Sequence, residues 1–434
     1  MREMKDSGLE WIGKIPEDWL IKKIKHNFMV FAGATPKSEK KEYWDGNIIW
    51  ITPADYKTED KYVCVGKKNI TIEGYKSCGT TIVPKGSIIF SKRAPVGTVA
   101  ISENELCTNQ GCLSCVPHEC VDGVYYYYVL SVFTEQFELL STGTTFKEIS
   151  ANSFVNFPLP FPTYKEQMQI SFYLNQKCVE IDNILTKTRT SIEEYRRLKQ
   201  AVITQAITKG VRGDREMKDS GIEWIGEIPV TWDILRKLSY TCTDSISYGI
   251  VKLLEPDDDT GVKVLRCSDV LPGKISLDNV RTVTQQVSNE YARTILSGGE
   301  IVINIRGTLG GCAVVPNELK GYNVAREVAV IPANDDICKR YLMYFFLSDV
   351  FIDYQKRYLT GSVYVGLNIE LLSSCPIILP PLKEQEKIAD FLDEKCRNID
   401  TLIEQMTELL VEMENYKKSV IYEYVTGKKE VKNH

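Results

Sequence analysis

Two long segments of the chain carry apolar residues in a repeat of seven, with a second set four positions after the first. This a/d pattern is typical of a helix that pairs with another helix along a seam. The pattern recurs after 218 positions, from Leu174 to Leu392 (392 − 174 = 218). The predicted seam consists of Leu174, Cys178, Ile181, Leu185 and Ile192 in the first helix and of Leu392, Cys396, Ile399, Ile403, Met406, Leu410 and Met413 in the second.

The matching seams predict that the two helices pair with each other. Because a whole domain separates them in the chain, we expect an antiparallel pair with one globular domain at each end. The alternative is that each helix is amphipathic and packs only on its own domain.

The chain ahead of each helix alternates short apolar runs with glycine and proline turns. Runs such as NIIWIT (47–52) and EIVIN (300–304) are rich in branched residues, which is typical of β-strands. Helical stretches are predicted near Tyr125–Leu140 and Lys339–Tyr354. Each half therefore combines strands and helices in one globular domain.

These elements occur twice because the chain is a tandem repeat. EMKDSGLEWIGKIPEDW (3–19) returns as EMKDSGIEWIGEIPVTW (216–232), and PLPFPTYKEQ (158–167) returns as PIILPPLKEQ (376–385). Internal similarity of this extent indicates a duplicated module.

The predicted fold class is α+β, with two tandem α/β domains separated by two long helices that pair as an antiparallel coiled coil. The predicted boundaries are 1–160 for the first domain, 161–212 for its helix, 213–378 for the second domain and 379–434 for the distal helix. We call the two halves that meet after residue 212 the first and second modules.

Composition is that of an ordinary globular protein, with 43% hydrophobic and 26% charged residues. No stretch is apolar enough to predict a membrane span, and the N-terminal MREMKDSGLEW lacks the apolar core of a signal peptide. We therefore expect no membrane partner and a cytoplasmic location. The net charge of −5 does not exclude nucleic acid, because binding needs only a local basic face.

The 13 cysteines are scattered and are expected to be mostly buried thiols. Cys107, Cys112, Cys115 and Cys120, near His118, could be considered for zinc because of the CLSC spacing. The stretch is predicted to be a strand, however, where residues three apart point to opposite faces. The sequence therefore favours no metal site here.

A duplicated domain on a rigid spacer suits a ligand with two separated determinants, and duplex DNA is the obvious case. The two middles, about 27–155 and 240–370, match only at scattered points, whereas the frame around them matches closely. Divergent reading surfaces on a constant frame are expected of sequence recognition.

Several motifs follow in a fixed order along the chain, and all but TNQG occur in both modules. These are DSGxEWIGxIPxxW, the turns SKRAPVG and NIRGTLG, TNQG at 108–111, the Thr-Gly pairs at 142–143 and 360–361, and the proline-rich KEQ segment that opens each helix. This series resembles the specificity subunits of type I restriction–modification systems, over essentially the whole chain.

The resemblance implies that each domain is a target-recognition domain reading one part of a split double-stranded DNA site. It implies that the paired helices act as a ruler and as a docking surface for two modification subunits. Those subunits would carry adenine-specific methylation, and restriction subunits, which are motor-nucleases, would cut unmethylated DNA using ATP. The chain itself is then no enzyme and needs no cofactor. The alternatives are a stand-alone DNA-modifying enzyme and a coiled-coil adaptor that binds no DNA.

Catalytic motifs are absent from the sequence, in agreement with that implication. There is no Gly-x-x-x-x-Gly-Lys-Ser/Thr phosphate loop and no Asn/Asp-Pro-Pro-Tyr/Phe tetrad. The three histidines are dispersed, and the carboxylates at 257–259 are more typical of a solvated turn than of a metal site.

Three places in each domain offer side chains that suit base edges or phosphates. They are a segment after the first long strand run, the SKR or NIR turn, and the residues after the Thr-Gly pair. The candidates are Thr52, Asp55, Ser91, Lys92, Arg93, Thr145 and Lys147 in the first module and Arg266, Asp269, Asn304, Arg306 and Tyr364 in the second.

Each candidate has a structural alternative. Asp55 and Asp269 could cap turns, Arg93 and Arg306 could form structural ion pairs, and the Thr-Gly segments could simply be loops. For Arg93 and Arg306 the sequence favours phosphate contacts, since a residue kept in both modules while its surroundings differ is expected to position rather than to specify.

Overall fold

The computed structural model describes residues 2–143, 147–253, 261–358 and 366–431. Within these residues the protein is a mixed α+β structure, as predicted. None of the helices in this described part combines the length and apolar character needed to cross a bilayer.

Two compact units make up the chain. The first comprises Met1–Thr188 together with Leu409–His434, and the second comprises Arg189–Glu408. Each unit thus contains one globular domain, the start of its own long helix and the end of the other module's helix.

The first unit contains strands and helices that alternate as the apolar runs predict. Its strands are β1 (Met4–Asp6), β2 (Lys14–Pro16), β3 (Leu20–Lys23), β4 (Phe28–Ala32), β5 (Trp44–Ile51), β6 (Tyr62–Val63), β7 (Lys68–Ile70), β8 (Ile88–Ser91), β9 (Val99–Ser102), β10 (Cys107–Thr108), β11 (Cys112–Pro117) and β12 (Pro158–Phe161). Its helices are α1 (Ile72–Lys76), α2 (Gly123–Val132), α3 (Thr134–Leu139), α4 (Ala151–Val155) and the long α5 (Tyr164–Lys209), which continues into the second unit.

Two sheets carry the first domain. One has the strand order β4-β11-β8-β9-β6 and the other the order β10-β5-β7. β11 separates two cores, because alternate side chains leave opposite faces of a strand. Leu113 and Cys115 pack with Phe90 and helix α2, whereas Cys112 packs with Ile51 and Ile89 on the other face.

The second unit repeats this plan. Its strands are β13 (Met217–Asp219), β14 (Glu227–Pro229), β15 (Asp233–Leu235), β16 (Ser247–Tyr248), β17 (Val262–Leu265), β18 (Val270–Leu271), β19 (Lys274–Ile275), β20 (Arg281–Val283), β21 (Ile301–Asn304), β22 (Cys312–Val314), β23 (Asn323–Val324), β24 (Val328–Ile331) and β25 (Ile377–Leu379). Its helices are α6 (Gln285–Glu290), α7 (Lys339–Leu347), α8 (Asp349–Tyr358), α9 (Ile369–Ser373) and the long α10 (Leu382–Val425), whose end lies in the first unit.

The sheets of the second domain follow the order of the first. β16-β24-β21-β22 corresponds to β4-β11-β8-β9, and β23-β17-β20 corresponds to β10-β5-β7. The β18–β19 hairpin has no counterpart among the described strands of the first domain. The duplication seen in the frame motifs therefore extends to the divergent middles, where sequence similarity is weak.

The two long helices are in contact and run antiparallel. In the first unit the rings of Tyr173 and Tyr424 lie 4.5 Å apart, and Lys417 bonds both carboxylate oxygens of Asp182. Residue numbers therefore rise along one helix as they fall along the other. In the second unit Lys199 bonds both oxygens of Asp400, and these residues lie 218 positions from Lys417 and Asp182. The predicted antiparallel coiled coil is confirmed.

Burial along the predicted seam is uneven. In α5 the seam residues are all buried, and at the start of α10 Leu392, Cys396 and Ile399 are buried as well. The later α10 positions Ile403, Met406, Leu410 and Met413 are only half-buried. The apolar repeat of α10 thus continues past Ile399, over positions that the described residues of the chain bury only partly.

Candidate nucleic-acid interface

The entry motif and the KEQ motif, which flank the divergent middle of the module, contact each other in the first unit. Trp19 is buried and donates from its indole Nε1 to Glu166 at 3.2 Å, while Arg2 pairs with the same carboxylate at 2.6 Å. Burial alone would raise the pKa of Glu166, but hydrogen bonds from Arg2, Thr163 and Trp19 hold it below its usual value. Trp19 of the entry motif and Glu166 of the KEQ motif therefore bind each other directly.

The second unit repeats this contact with different residue numbers. The Trp232 indole donates to a carboxylate oxygen of Glu384 at 3.0 Å, and Arg215 pairs with the same carboxylate.

The glutamine of each KEQ motif ties the helix to its domain. Gln167 is fully buried, accepts from the backbone N–H of Asp122 at 2.8 Å and donates to the Pro162 carbonyl at 3.0 Å. Gln385 makes the same pair of bonds, to Cys338 and Pro380. The same two hydrogen bonds therefore join the start of each long helix to the domain that precedes it.

The first two candidate stretches meet in the first domain. Gly111 lies against Pro53, since a Cβ added at Gly111 would come within 3.0 Å of the proline Cγ. The backbone N–H of Lys92 donates to the Gly111 carbonyl at 2.9 Å. TNQG therefore lies between the Thr52–Asp55 segment and the SKR turn.

The third candidate stretch joins them on the other side of the turn. Arg93 and Glu148 pair as an antiparallel bridge, as do Thr142 and Glu148. Glu148 also accepts from Lys92 Nζ at 2.8 Å and from Arg93 Nε at 2.9 Å. The hydrogen bond from Lys92, followed by that from Arg93, lowers the pKa of Glu148, so this carboxylate stays ionised at neutral pH.

The equivalent stretches meet in the second domain. The side-chain amide of Asn304 donates to the Cys267 carbonyl at 2.9 Å and to the Val270 carbonyl at 3.1 Å. Arg306 pairs with Gly366 as an antiparallel bridge. In both domains, therefore, stretches separated by up to about 100 positions in the chain converge on one surface.

Aspartates cap the first stretch in both domains. Asp55 accepts from the backbone N–H and the hydroxyl of Thr52, both at 2.7 Å, and from the Lys67 N–H. Asp269 is 4% exposed and accepts from the Arg266 backbone at 2.8 Å and from its guanidinium at two points. The capping bonds considered from the sequence are thus present.

The other candidate residues differ in solvent exposure. Ser91 and Asn304 are buried, and the Ser91 hydroxyl donates to the Arg93 carbonyl at 2.8 Å. Lys147, Arg93 and Arg306 are exposed. Thr145 and Tyr364 lie outside the described residues, as do the carboxylates at 257–259.

Sequence reasoning missed Glu148 and Arg326. Glu148 follows Lys147 directly, but its position against the SKR turn depends on a pairing across 55 residues. Arg326 is exposed and pairs with Glu327 at 3.5 Å, and it lies near Arg306 because the Glu327 carbonyl accepts from the Arg306 N–H. No motif marks Arg326, since TNQG of the first module does not recur in the second.

The cysteine cluster shows no metal-binding arrangement. Cys112 and Cys115 lie in separate cores on opposite faces of β11, as the strand prediction requires, and burial raises the pKa of Cys112 to about 12. In the described ranges no group of three or more His, Cys, Asp or Glu residues is placed to hold a metal ion.

Residues 16–194 and 250–411 match the family described as "Type I restriction modification DNA specificity domain". The MjaVIII specificity subunit of Methanocaldococcus jannaschii is 24% identical over 97% of this chain and 95% of its own length. The MjaIX specificity subunit of the same organism is 42% identical, over 38% of this chain and 39% of its own length. The EcoKI specificity subunit of Escherichia coli K12 is 20% identical over 96% and 90%.

Solved structures show the same fold. A structure from work on complex assembly and conformational transition of the type I R-M system superposes with a TM-score of 0.74 at 14% identity, covering 96% of this chain and 99% of that one. The HsdS subunit from Thermoanaerobacter tengcongensis gives a TM-score of 0.52 at 15% identity, covering 96% and 98%. The chain therefore belongs to the type I restriction–modification DNA specificity family and is the non-catalytic DNA specificity subunit of such a system.

Proposed function

We propose that each domain reads one part of a bipartite duplex site through the surface on which its three candidate stretches converge. The observation that carries this proposal is the convergence itself. It occurs at equivalent places in two domains that have kept one fold while their sequences diverged. A surface that varies on a constant frame is what two independent readers of different half-sites require.

The candidate residues divide by exposure into two roles. Lys147, Arg93 and Arg306 contact DNA directly, since they are exposed and cationic. Ser91 and Asn304 hold the turns that carry the arginines, because both are buried and bonded to backbone carbonyls.

The remaining candidates complete the surface. Thr52 and Asp55 shape its edge in the first domain, and Arg266 and Asp269 do so in the second. Thr145 and Tyr364, which follow the Thr-Gly pairs in the sequence, contribute further contacts. Contacts to phosphates set the register, and contacts to base edges read the sequence.

The paired helices are the docking surface for two modification subunits, and restriction subunits join that assembly in the cytoplasm. Exposed apolar side chains on α10 support this role, since Leu409 is 41% exposed and Val411 is 56% exposed. The half-buried seam positions Met406 and Met413 add to this apolar surface. The assembled complex is an adenine-specific methyltransferase and an ATP-dependent endonuclease.

The test is a genome-wide map of methylated adenines in cells that produce the full chain with its modification subunits. We expect one motif with two defined parts separated by a gap of fixed length. A single contiguous motif would contradict reading by two domains. Methylation without sequence preference would contradict the proposed interface.

A further inference from the structure

The two matching arginines have different surroundings. Arg93 and Arg306 occupy equivalent positions 213 residues apart, but Lys92 is replaced by Ile305 in the second module and Glu148 by Gly366. The bridges confirm this alignment, because Arg93 pairs with Glu148 and Arg306 pairs with Gly366. A lysine and a glutamate are therefore present together in one module and absent together from the other.

Glu148 holds the Arg93 side chain by one edge. The Glu148 Oε2 accepts from Arg93 Nε at 2.9 Å. Within the part of the chain that the structure describes, this is the only hydrogen bond of the Arg93 guanidinium. The Glu148 Oε1 accepts from Lys92 Nζ at 2.8 Å, with Lys92 only 15% exposed. Among the described residues no hydrogen bond occupies the two terminal nitrogens of Arg93, and the Arg93 side chain is 47% exposed.

Charge and geometry together favour a base over a phosphate for Arg93. Lys92 balances the Glu148 carboxylate, so the group of three carries one net positive charge. The carboxylate directly beside the guanidinium weakens its attraction for a phosphate, yet it fixes the direction of the free edge. Two parallel N–H donors with a fixed direction match the O6 and N7 acceptors of guanine in the major groove.

Arg306 has the opposite character. It is exposed, and its side chain forms no hydrogen bond or ion pair with the described residues. The sequence from Tyr358 to Ile369 contains no carboxylate that could take the place of Glu148. An exposed arginine that no carboxylate of the described residues orients suits a phosphate, which accepts hydrogen bonds from many directions.

We propose that Arg93, oriented by Glu148 and Lys92, reads a guanine in the half-site of the first domain, whereas Arg306 contacts a phosphate in the other half-site. Glu148 is then a positioning residue that determines specificity without touching the DNA. This inference rests on the proposed function and replaces the shared phosphate role that the sequence favours for both arginines.

The test measures base preference rather than affinity alone. The full chain, assembled with its modification subunits, first selects duplexes from a random-sequence pool, which gives the two half-sites. Affinities are then measured for the selected duplex and for a set in which each base pair is replaced in turn. The proteins compared are the parent, Arg93→Lys, its matched control Arg306→Lys, and Glu148→Gln. Lysine keeps the charge but cannot offer a bidentate fork.

Arg93→Lys should reduce discrimination at one G·C pair of one half-site by about 5- to 150-fold, the range for a bidentate contact. Glu148→Gln should reduce discrimination at that same base pair. Arg306→Lys should weaken all duplexes by a similar, small factor and leave every base preference intact.

Other outcomes overturn the inference. If Arg93→Lys keeps the parental preferences, Arg93 reads no base. If Glu148→Gln strengthens binding to every duplex alike, Glu148 is only a counterion and does not position Arg93. Thermal unfolding of each variant identifies any loss due to misfolding. Failure of the parent to select any sequence would instead refute the proposed function, so the two failures are distinguishable.

Discussion

Replacing Leu185 with aspartate tests the helix pair at one buried position. Leu185 is 5% exposed in the α5 seam, whereas its neighbour Ile184 is 45% exposed. Losing a buried leucine side chain costs about 2–5 kcal/mol. A buried polar group without a partner adds about 1–3 kcal/mol. Leu185→Asp should therefore destabilise the pair locally by at least about 3 kcal/mol.

Ile184→Asp is the matched control. It introduces the same side chain one position away, on the exposed face, where substitutions usually change stability by no more than about 0.5 kcal/mol. Isoleucine and aspartate have similar helix propensities, so the helix itself contributes little to the difference.

Hydrogen exchange is the suitable assay, because a chain with two units is not expected to unfold in a single transition. A loss of about 3 kcal/mol corresponds to exchange faster by on the order of 100-fold. In Leu185→Asp this acceleration should reach peptides from residues 174–188 and also from residues 409–425 of the partner helix. In Ile184→Asp neither peptide should change greatly.

The pH dependence gives a second check. Burial raises the pKa of an unpaired aspartate, so its folded pKa lies above its unfolded pKa. The destabilisation should therefore be greatest at neutral pH and diminish as the pH falls below the raised value. Equal exchange in the two variants, or acceleration confined to α5, would refute the paired seam.

Two further predictions concern the frame and the chemistry. The folded pKa of Glu166 is lowered, so its contacts with Arg2 and Trp19 add stability above the unfolded pKa and lose it as the pH falls through the folded value. Glu166→Gln should thus be less stable than the parent at pH 7 and equal to it in strong acid, as followed by thermal unfolding; a constant difference would exclude the ion pair. The isolated chain, given magnesium, ATP and S-adenosylmethionine, should neither methylate nor cut DNA, and turnover by a preparation free of partner subunits would refute its non-catalytic role.

Much of the fold could be predicted because the chain repeats itself. The Trp19 and Trp232 motifs and the two KEQ motifs stand out as duplicates, and the structure gives the reason: each tryptophan bonds the glutamate of its own KEQ. The heptad repeat likewise predicts the antiparallel pair, since side chains at that spacing share one face of a helix. Periodicity and repetition are local properties that a sequence displays directly.

The candidate site was less accessible to sequence reasoning. Sequence motifs predict the stretches that form the site. Whether a residue in them is buried, however, depends on contacts with residues that are distant in the sequence. Asn304 looks like a base reader in sequence, yet it is buried and braces backbone carbonyls from residues 267 and 270. Glu148 lies in no motif, and its role follows only from its side-chain bonds to Lys92 and Arg93.

The most direct test of the account is a domain exchange. Residues 27–155 are replaced by the equivalent stretch of another specificity subunit, and the methylated sites of the chimera and the parent are mapped genome-wide. The account predicts that one half of the recognised site changes, while the other half and the gap between them stay the same. A change in both halves would contradict independent reading by the two domains.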